Sequence, residues 1–232
     1  TYQEKFKDYK QAIFWFKQAY RLNNKDSQAT HNIGYLYDEL KQYNEAIKWY
    51  KKTDELGEAR GAFGLGLLYE DKLKKYQEAI KWYKIADQQG HKGGANNLAL
   101  LYEEKLNKNN EAIKWYKIAV QKGNGGAAKN LAILYEDKHN YQKATKWYKI
   151  AIQKENIDAL INLGLMYHKI LKDDVQSSQY YLALINNGFS KHQIMNLLKN
   201  KWHFSDETIK KGYELQLNSK IIPEKLKYRG GI

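Results

Sequence analysis

The side chains best suited to hold a ligand are asparagines that recur along the chain at similar intervals. They are Asn32, Asn97, Asn130 and Asn162. Gly64 stands where one more would be expected. A side-chain amide donates and accepts hydrogen bonds together, which suits the main chain of an extended peptide. The same asparagines could instead bond to neighbouring helices and fix their packing, so the sequence leaves both interpretations open.

A second recurring feature is a pair of acidic residues after a tyrosine. The pairs are Asp38-Glu39, Glu70-Asp71, Glu103-Glu104 and Glu136-Asp137. Acids near the end of a helix oppose its dipole, so we expect them either to pair with lysines of the next hairpin or to form an acidic strip that favours a basic partner. The residues assigned to a partner-binding face, besides the asparagines, are Tyr35, Asp38, Arg60, Glu70, Glu103 and Glu136.

The sequence carries no recognised pattern for catalysis or for holding a cofactor or metal ion. It has no cysteine, which removes thiolate metal sites, cysteine nucleophiles and disulfides. Its six histidines are scattered, and neither a His-Glu-x-x-His motif nor a phosphate-binding Gly-Lys-Ser/Thr loop occurs. The Ser-x-x-Lys motif of β-lactam-acylating enzymes is also absent. We therefore predict a binding protein without cofactor or metal.

The candidate side chains belong to a segment that recurs at steps of 32 to 34 residues. Its copies are marked by Trp15, Trp49, Trp82, Trp115 and Trp147, and Tyr180-Tyr181 continues the series. In Glu78 to Ala86, apolar residues at spacing i, i+3, i+4 and i+7 predict one amphipathic helix, called helix B. We expect the five tryptophans to form the core together with Ala46, Ala79 and Ala112.

A second repeated helix, helix A, precedes each helix B. Its copies are predicted at residues 29–37, 61–69, 94–102, 127–135 and 159–167. Each copy carries a small residue three before its closing tyrosine, as Gly66 lies before Tyr69. Glycine inside a helix costs about 1 kcal/mol relative to alanine, so close packing of a neighbouring helix must compensate. Short loops between A and B force antiparallel hairpins. The fixed period then predicts an all-α solenoid of about six repeats.

These residues resemble the tetratricopeptide repeat family, and more closely its Sel-one-like (SLR) branch. The pattern of the larger family is met by Ile33-Gly34, Tyr37, Tyr43, Ala46 and Tyr50. The SLR character lies in residues 79–86 followed by Gly90, and in residues 97–102. The resemblance covers residues 2–188 and implies a right-handed superhelix. In that family helix A lines the concave face, which binds peptides or protein domains, and the proteins act as adaptors.

The two ends depart from the period. Tyr2 to Tyr9 matches Tyr69 to Tyr76, which places residue 1 inside an incomplete helix A and predicts that the sequence is a piece of a longer protein. A capping box at Ser190-Gln193 and an N-cap at Ser205 predict two capping helices. The basic end is predicted to be a frayed terminus. The predicted domains are a repeat array at 1–188, capping helices at 189–218 and a basic tail at 219–232.

Charge is the remaining guide to partners. The net charge is +13, from 39 Lys and Arg against 26 Asp and Glu, and a basic balance favours nucleic acid or an acidic partner. The lysines of helix B lie on the expected outer face, at Lys48, Lys51, Lys81, Lys84, Lys114, Lys117, Lys146 and Lys149. A basic outer face with an acidic inner strip is poorly suited to cradling RNA.

We therefore predict a non-catalytic scaffold that binds a peptide or protein segment along the helix A face. The alternative is a nucleic-acid-binding helical-repeat protein that uses the lysine-rich surface, and a third reading is self-assembly. No apolar run approaches the roughly 20 residues that span a bilayer, and no signal-peptide pattern opens the sequence. With the lack of cysteine, this predicts an intracellular, cytoplasmic location.

Overall fold

The computed structural model describes residues 2–185 and 187–232, with side chains from residue 8 onward. That part of the chain forms thirteen α-helices. They are α1 Tyr2–Leu22, α2 Ser27–Glu39, α3 Tyr43–Glu55, α4 Ala59–Leu67, α5 Tyr76–Gln88, α6 Gly94–Leu100, α7 Asn109–Gln121, α8 Gly125–Asp137, α9 Tyr141–Gln153, α10 Ile157–Met166, α11 Asp174–Leu182, α12 Lys191–Met195 and α13 Asp206–Asn218. The predicted all-α repeat architecture is confirmed.

The chain divides into two compact units, Thr1–Ala119 and Val120–Ile232. In the first unit, α2 packs on α3 and α4 packs on α5. In the second unit, α8 packs on α9 and α10 packs on α11. Each of these pairs is one repeat, with helix A followed by helix B. The division into array, capping helices and tail stays a prediction.

The core of each repeat is centred on the tyrosine that follows the tryptophan of helix B. Side chains of Tyr50, Tyr83, Tyr116 and Tyr148 are buried, as are those of Ala46, Ala79 and Ala112. Of the predicted core tryptophans, Trp82 is buried, whereas Trp49, Trp115 and Trp147 are only half-buried. Adjacent residues project about 100° apart on a helix, so the tyrosine points into the repeat and the tryptophan lies at the edge of the same face.

The prediction that Trp15 belongs to the core is wrong. Trp15 is 63% exposed, and its neighbour Phe14 is 53% exposed. The two rings meet edge to face, with centroids 5.2 Å apart. Ile13 is the buried side chain of this stretch and packs with Ile33 and Leu36 of α2. The face of α1 that contacts α2 is therefore centred on Ile13, and Trp15 points away from it.

Small residues in helix A let the buried tyrosines approach closely, as predicted. A Cβ atom at Gly66 would lie 2.4 Å from the ring of Tyr83. In the second unit a Cβ atom at Gly164 would lie 2.6 Å from the ring of Tyr181. Both distances are shorter than real Cβ contacts allow, so the tyrosine ring occupies the space that a larger residue would fill. Tyr181 thus takes the same place in the sixth copy of helix B.

The turns between helix A and helix B come in two lengths. Tyr43 lies six positions after Tyr37, whereas Tyr76 lies seven positions after Tyr69. In the longer turn, and in two others of its kind, helix A ends in a π-helical segment. These segments are Leu68–Lys72, Leu101–Lys105 and Tyr167–Leu171. A π turn holds one more residue than an α turn, so it absorbs the extra residue without changing the hairpin.

The ends of the array differ from the predictions in two respects. Helix α1 runs without a break from Tyr2 to Leu22, whereas the matched residues 69–76 include the turn between α4 and α5, so the match between these two segments does not extend to their structure. Thr1 lies outside the described residues. The capping box of Ser190 and Gln193 is confirmed, as is the N-cap Ser205. The end of the chain is not frayed, because Ile222, Leu226 and Tyr228 are buried.

Candidate functional site

The asparagine and glutamate rows meet at the buried tyrosines. In the first unit, the Tyr83 hydroxyl on α5 donates a hydrogen bond to Glu70 Oε2 at 2.6 Å. The side-chain amide of Asn97 on α6 hydrogen-bonds to the same hydroxyl. Burial and the bond to Glu70 raise the pKa of Tyr83 well above its ordinary value. We call this arrangement the tyrosine triad. It ties one helix A, its helix B and the next helix A together.

The same triad recurs in the second unit. There the Tyr148 hydroxyl on α9 donates to Glu136 Oε2 at 2.7 Å. Asn162 on α10 hydrogen-bonds to that hydroxyl, and burial again raises the pKa of Tyr148. In the first unit, Tyr116 donates to Glu103 Oε2 at 2.6 Å. In these repeats the glutamate bonds to the buried tyrosine, and Asn97 and Asn162 do the same in theirs.

These contacts bear on both questions that the sequence left open. Asn97 and Asn162 bond to neighbouring helices, which supports the packing interpretation for those two residues. Glu70, Glu103 and Glu136 each accept a hydrogen bond from a tyrosine hydroxyl. Neither of the two predicted roles, pairing with lysines or forming a free acidic strip, describes this arrangement. Burial raises the pKa of Glu70. This hydrogen bond could not be predicted from local sequence patterns, since Glu70 and Tyr83 lie 13 positions apart on different helical segments.

The repeat around Tyr50 lacks the triad. Asp38 replaces the glutamate, and Gly64 replaces the asparagine. Asp38 Oδ1 is buried without a hydrogen-bond partner in the described part of the chain. Burial raises the pKa of Asp38, and the positive charge of Lys72 opposes that change. A Cβ atom at Gly64 would lie 2.8 Å from the Tyr50 ring, so the ring occupies the place of the missing amide.

Arg60, assigned to the partner-binding face, is held within the first unit. Its Nε donates to Glu58 Oε1 at 3.3 Å, and its Nη1 donates to Gln28 Oε1 at 2.9 Å. Gln28 in turn donates to Asn32 Oδ1 at 2.9 Å. Arg60 therefore connects α4 to α2 rather than standing ready for a carboxylate. Gln28 was not predicted to take part, because its partner Arg60 lies 32 positions away on another helix.

Two histidines lie beside Arg60. The ring of His91 stacks on Phe63 with centroids 3.9 Å apart, and the ring of His31 lies 5.7 Å from that of Tyr50. Burial lowers the pKa of both histidines, and the Arg60 charge adds to the effect. Among the residues that the structure describes, no group of His, Asp and Glu is arranged to hold a metal ion.

The side chains that stay accessible on helix A form an apolar row. The row consists of Tyr35 on α2, Leu67 on α4 and Leu100 on α6, each two residues before the closing tyrosine of its repeat. Tyr35 is 50% exposed, and the two leucines are half-buried. Burial of apolar surface stabilises an association by about 25 cal/mol per Å², so this row can contribute to binding. Of the residues assigned to a partner-binding face, Tyr35 is the large apolar one that remains exposed.

Comparisons with known proteins support the repeat type of the chain. The family model "Anaphase-promoting complex, cyclosome, subunit 3", which describes tetratricopeptide-like repeats, matches residues 6–84. The Sel1 repeat model matches residues 94–124 and 127–156. The chain is a repeat protein of the tetratricopeptide and Sel1 type. A comparison with curated protein sequences returned no match.

Solved structures of other repeat proteins resemble this Sel1-type chain. A Sel1 repeat protein from Oxalobacter formigenes is 28% identical, with a TM-score of 0.52 over 67% of this chain and 66% of that one. The chain thus spans slightly less than two thirds of that relative. PilF of Pseudomonas aeruginosa is 18% identical, with a TM-score of 0.56 over 86% of this chain and 98% of its own length. MamA is 23% identical, with a TM-score of 0.52 over 66% and 91%. PilF and MamA show the fold alone.

The repeat type sets a general function. Repeats of the tetratricopeptide and Sel1 type mediate interactions between proteins, and their families are typically scaffolds without enzymatic activity. In the described part of this repeat protein, no helix is both long enough and apolar enough to cross a membrane.

Proposed function

We propose that the protein is a non-catalytic scaffold that binds a peptide or protein segment along the helix A face of the first unit. The observation that carries the proposal is the accessible row of Tyr35, Leu67 and Leu100. These apolar side chains occupy one register position in three successive A helices and stay partly exposed. Asn32 stands three residues before Tyr35 on the same helix and carries a side-chain amide that suits a main chain.

Binding would proceed by covering the row with apolar side chains of the partner. The asparagines of the two triads have a packing role in this proposal, because Asn97 and Asn162 already bond to tyrosines. Asn32 and Asn130, which the sequence assigns to the partner-binding face, stay proposed contacts for the partner's backbone on the strength of that assignment alone. The cytoplasmic location is likewise proposed, on the absence of cysteine from the sequence.

The test is capture of partners from a native lysate by the unmodified protein and by Tyr35→Ala. Because Tyr35 is half-exposed, its truncation should leave the thermal midpoint within about 2 °C. We expect the set of captured proteins to be reduced by about tenfold or more, as for truncation of a central aromatic contact. Trp15→Ala is the matched control, since Trp15 is exposed but lies on α1, outside the row.

If Tyr35→Ala and Trp15→Ala capture the same proteins in equal amounts, the proposal that partners bind the helix A face is contradicted. Loss of the set after nuclease treatment would instead favour the alternative, a nucleic-acid-binding repeat protein. That reading predicts steep dependence on salt, because each phosphate contact releases counterions. The apolar character of the row argues against it.

A further inference from the structure

Helix α9 differs in charge from the B helices α3, α5 and α7. In α3, α5 and α7, a glutamate at the third position precedes the first lysine by three residues, and in α3 Glu45 pairs with Lys48 at 2.5 Å. In α9 the corresponding residue is Lys143, and Ile152 replaces the Asp87 of α5. Helix α9 therefore carries three lysines and no acid.

A groove runs between α9 and the end of the chain. It has a volume of about 410 Å³ and is lined by Gln142, Thr145, Lys146, Lys149, Ile150 and Ile221, among others. This volume lies within the range of ligand clefts, roughly 300–1,000 Å³. The side of the groove formed by the end of the chain is fixed in place. The backbone N–H of Ile221 donates to Ser219 Oγ at 3.1 Å, and the side chain of Ile222 is buried.

The charges of the groove are uncompensated. Within the described residues, Lys146 and Lys149 form no ion pair, and they stand three positions apart on one side of the helix. The nearest acid along the chain after α9 is Glu155, which pairs with Lys225 at 2.5 Å. That pair also fixes the tail against the turn after α9. The lining of the groove thus combines two lysines that form no ion pair with the aliphatic side chains of Ile150 and Ile221.

We propose that this groove docks an acidic segment of a partner protein, with carboxylates paired to Lys146 and Lys149 and an aliphatic side chain on Ile150 and Ile221. Its lining contains no aromatic ring, so bases of a nucleic acid would lack a stacking platform. The isoleucines lie in a groove rather than on a protruding face, which disfavours insertion into a membrane. The site lies in the second unit and is independent of the row proposed above.

The test is a selection of random ten-residue peptides displayed on phage against the whole protein. We expect retained peptides to combine Asp or Glu with Ile, Leu or Val. A labelled copy of a retained peptide should bind at least about tenfold more weakly to the double variant Lys146→Glu, Lys149→Glu. Its affinity should also fall with added salt. Lys143→Glu, which restores the acid of the other copies, should weaken binding about threefold.

The matched control is Lys81→Glu with Lys84→Glu, which reverses charge at the same positions of α5 and should leave binding unchanged. Circular dichroism of each variant verifies that it is folded. Three results would overturn the proposal: retained peptides without excess acid, equal losses in the two double variants, or tighter binding of a 20-nucleotide RNA or of phosphatidylserine vesicles than of any retained peptide. Because Tyr35→Ala lies outside the groove, it should not affect this assay, so the two proposals fail independently.

Discussion

At the scale of single residues, the tyrosine hydroxyls decide how successive helices are joined. Tyr83 places a polar atom inside the repeat and satisfies it twice, through Glu70 and Asn97. Tyr50 occupies the same position with neither partner, since Asp38 and Gly64 stand in their places. A buried hydrogen bond contributes little net stability, but leaving its partner unsatisfied is costly. The two tyrosines should therefore respond differently to loss of the hydroxyl.

We predict that Tyr83→Phe lowers the free energy of unfolding by about 1.5–3 kcal/mol, because the half-buried Glu70 carboxylate loses its donor. Tyr50→Phe removes the same atom from a site without those hydrogen bonds and should change stability by less than about 0.5 kcal/mol. Urea unfolding of both variants measures the difference. Equal effects would mean that the hydroxyl matters only for packing, and that the triad does not stabilise the fold.

At the scale of the helix hairpin, the π turns keep the triad in place while the turn changes length. Glu70 and Tyr83 lie 13 residues apart, and Glu136 and Tyr148 lie 12 apart, yet the hydrogen bonds are 2.6 and 2.7 Å long. The extra residue is absorbed at the end of α4, in the segment Leu68–Lys72. The hydrogen bond between glutamate and tyrosine therefore has nearly the same length in both repeats, and the π-helical segment accommodates the extra residue.

We predict that deletion of Lys72 is tolerated, with a stability change below about 1 kcal/mol. The shortened turn would read Tyr69-Glu-Asp-Leu-Lys-Lys-Tyr, which matches residues 37–43 and puts Leu73 in the place of Leu40. Deletion of Leu73 gives the same length but removes an apolar side chain that packs on the core, and should cost about 2 kcal/mol or more. Equal costs, measured by urea unfolding, would exclude this role for the π turn.

The helix hairpins could be predicted from sequence, whereas the buried side chains and their hydrogen-bond partners could be predicted only in part. Period and apolar spacing located helices A and B, because both follow from local patterns. Trp49 and Tyr50 are adjacent, and either could centre the apolar face, so the burial of the tyrosine required the packed structure. The partner of Glu70 lies on another helix, and no local pattern reveals it. Tyr35 was assigned to the binding face and is exposed, but its role stays a proposal.

At the scale of the whole molecule, the second unit is completed by the end of the chain. Gln216 of α13 is fully buried and holds the backbone of Tyr228 with both atoms of its amide. Its Nε2 donates to the Tyr228 carbonyl at 2.9 Å, and the Tyr228 N–H donates to its Oε1 at 2.6 Å. Asn187 donates to the Leu226 carbonyl at 3.2 Å. The basic end thus covers the side of the last helix, which a frayed terminus would leave exposed to water.

We predict that Gln216→Ala lowers the stability of the second unit by about 2–4 kcal/mol, because two buried backbone groups of Tyr228 lose their partners. Hydrogen exchange followed by mass spectrometry should show faster exchange in α13 and in residues 219–232, with α5 of the first unit unchanged. Asn218→Ala is the control, since its amide donates to the Glu214 carbonyl at the exposed end of the same helix. If exchange in α13 stays slow in Gln216→Ala, then the burial of Ile222, Leu226 and Tyr228 alone holds the tail. In that case the hydrogen bonds of Gln216 set only the position of Tyr228 along α13, and the hydrophobic contacts of the tail supply the stability of the second unit.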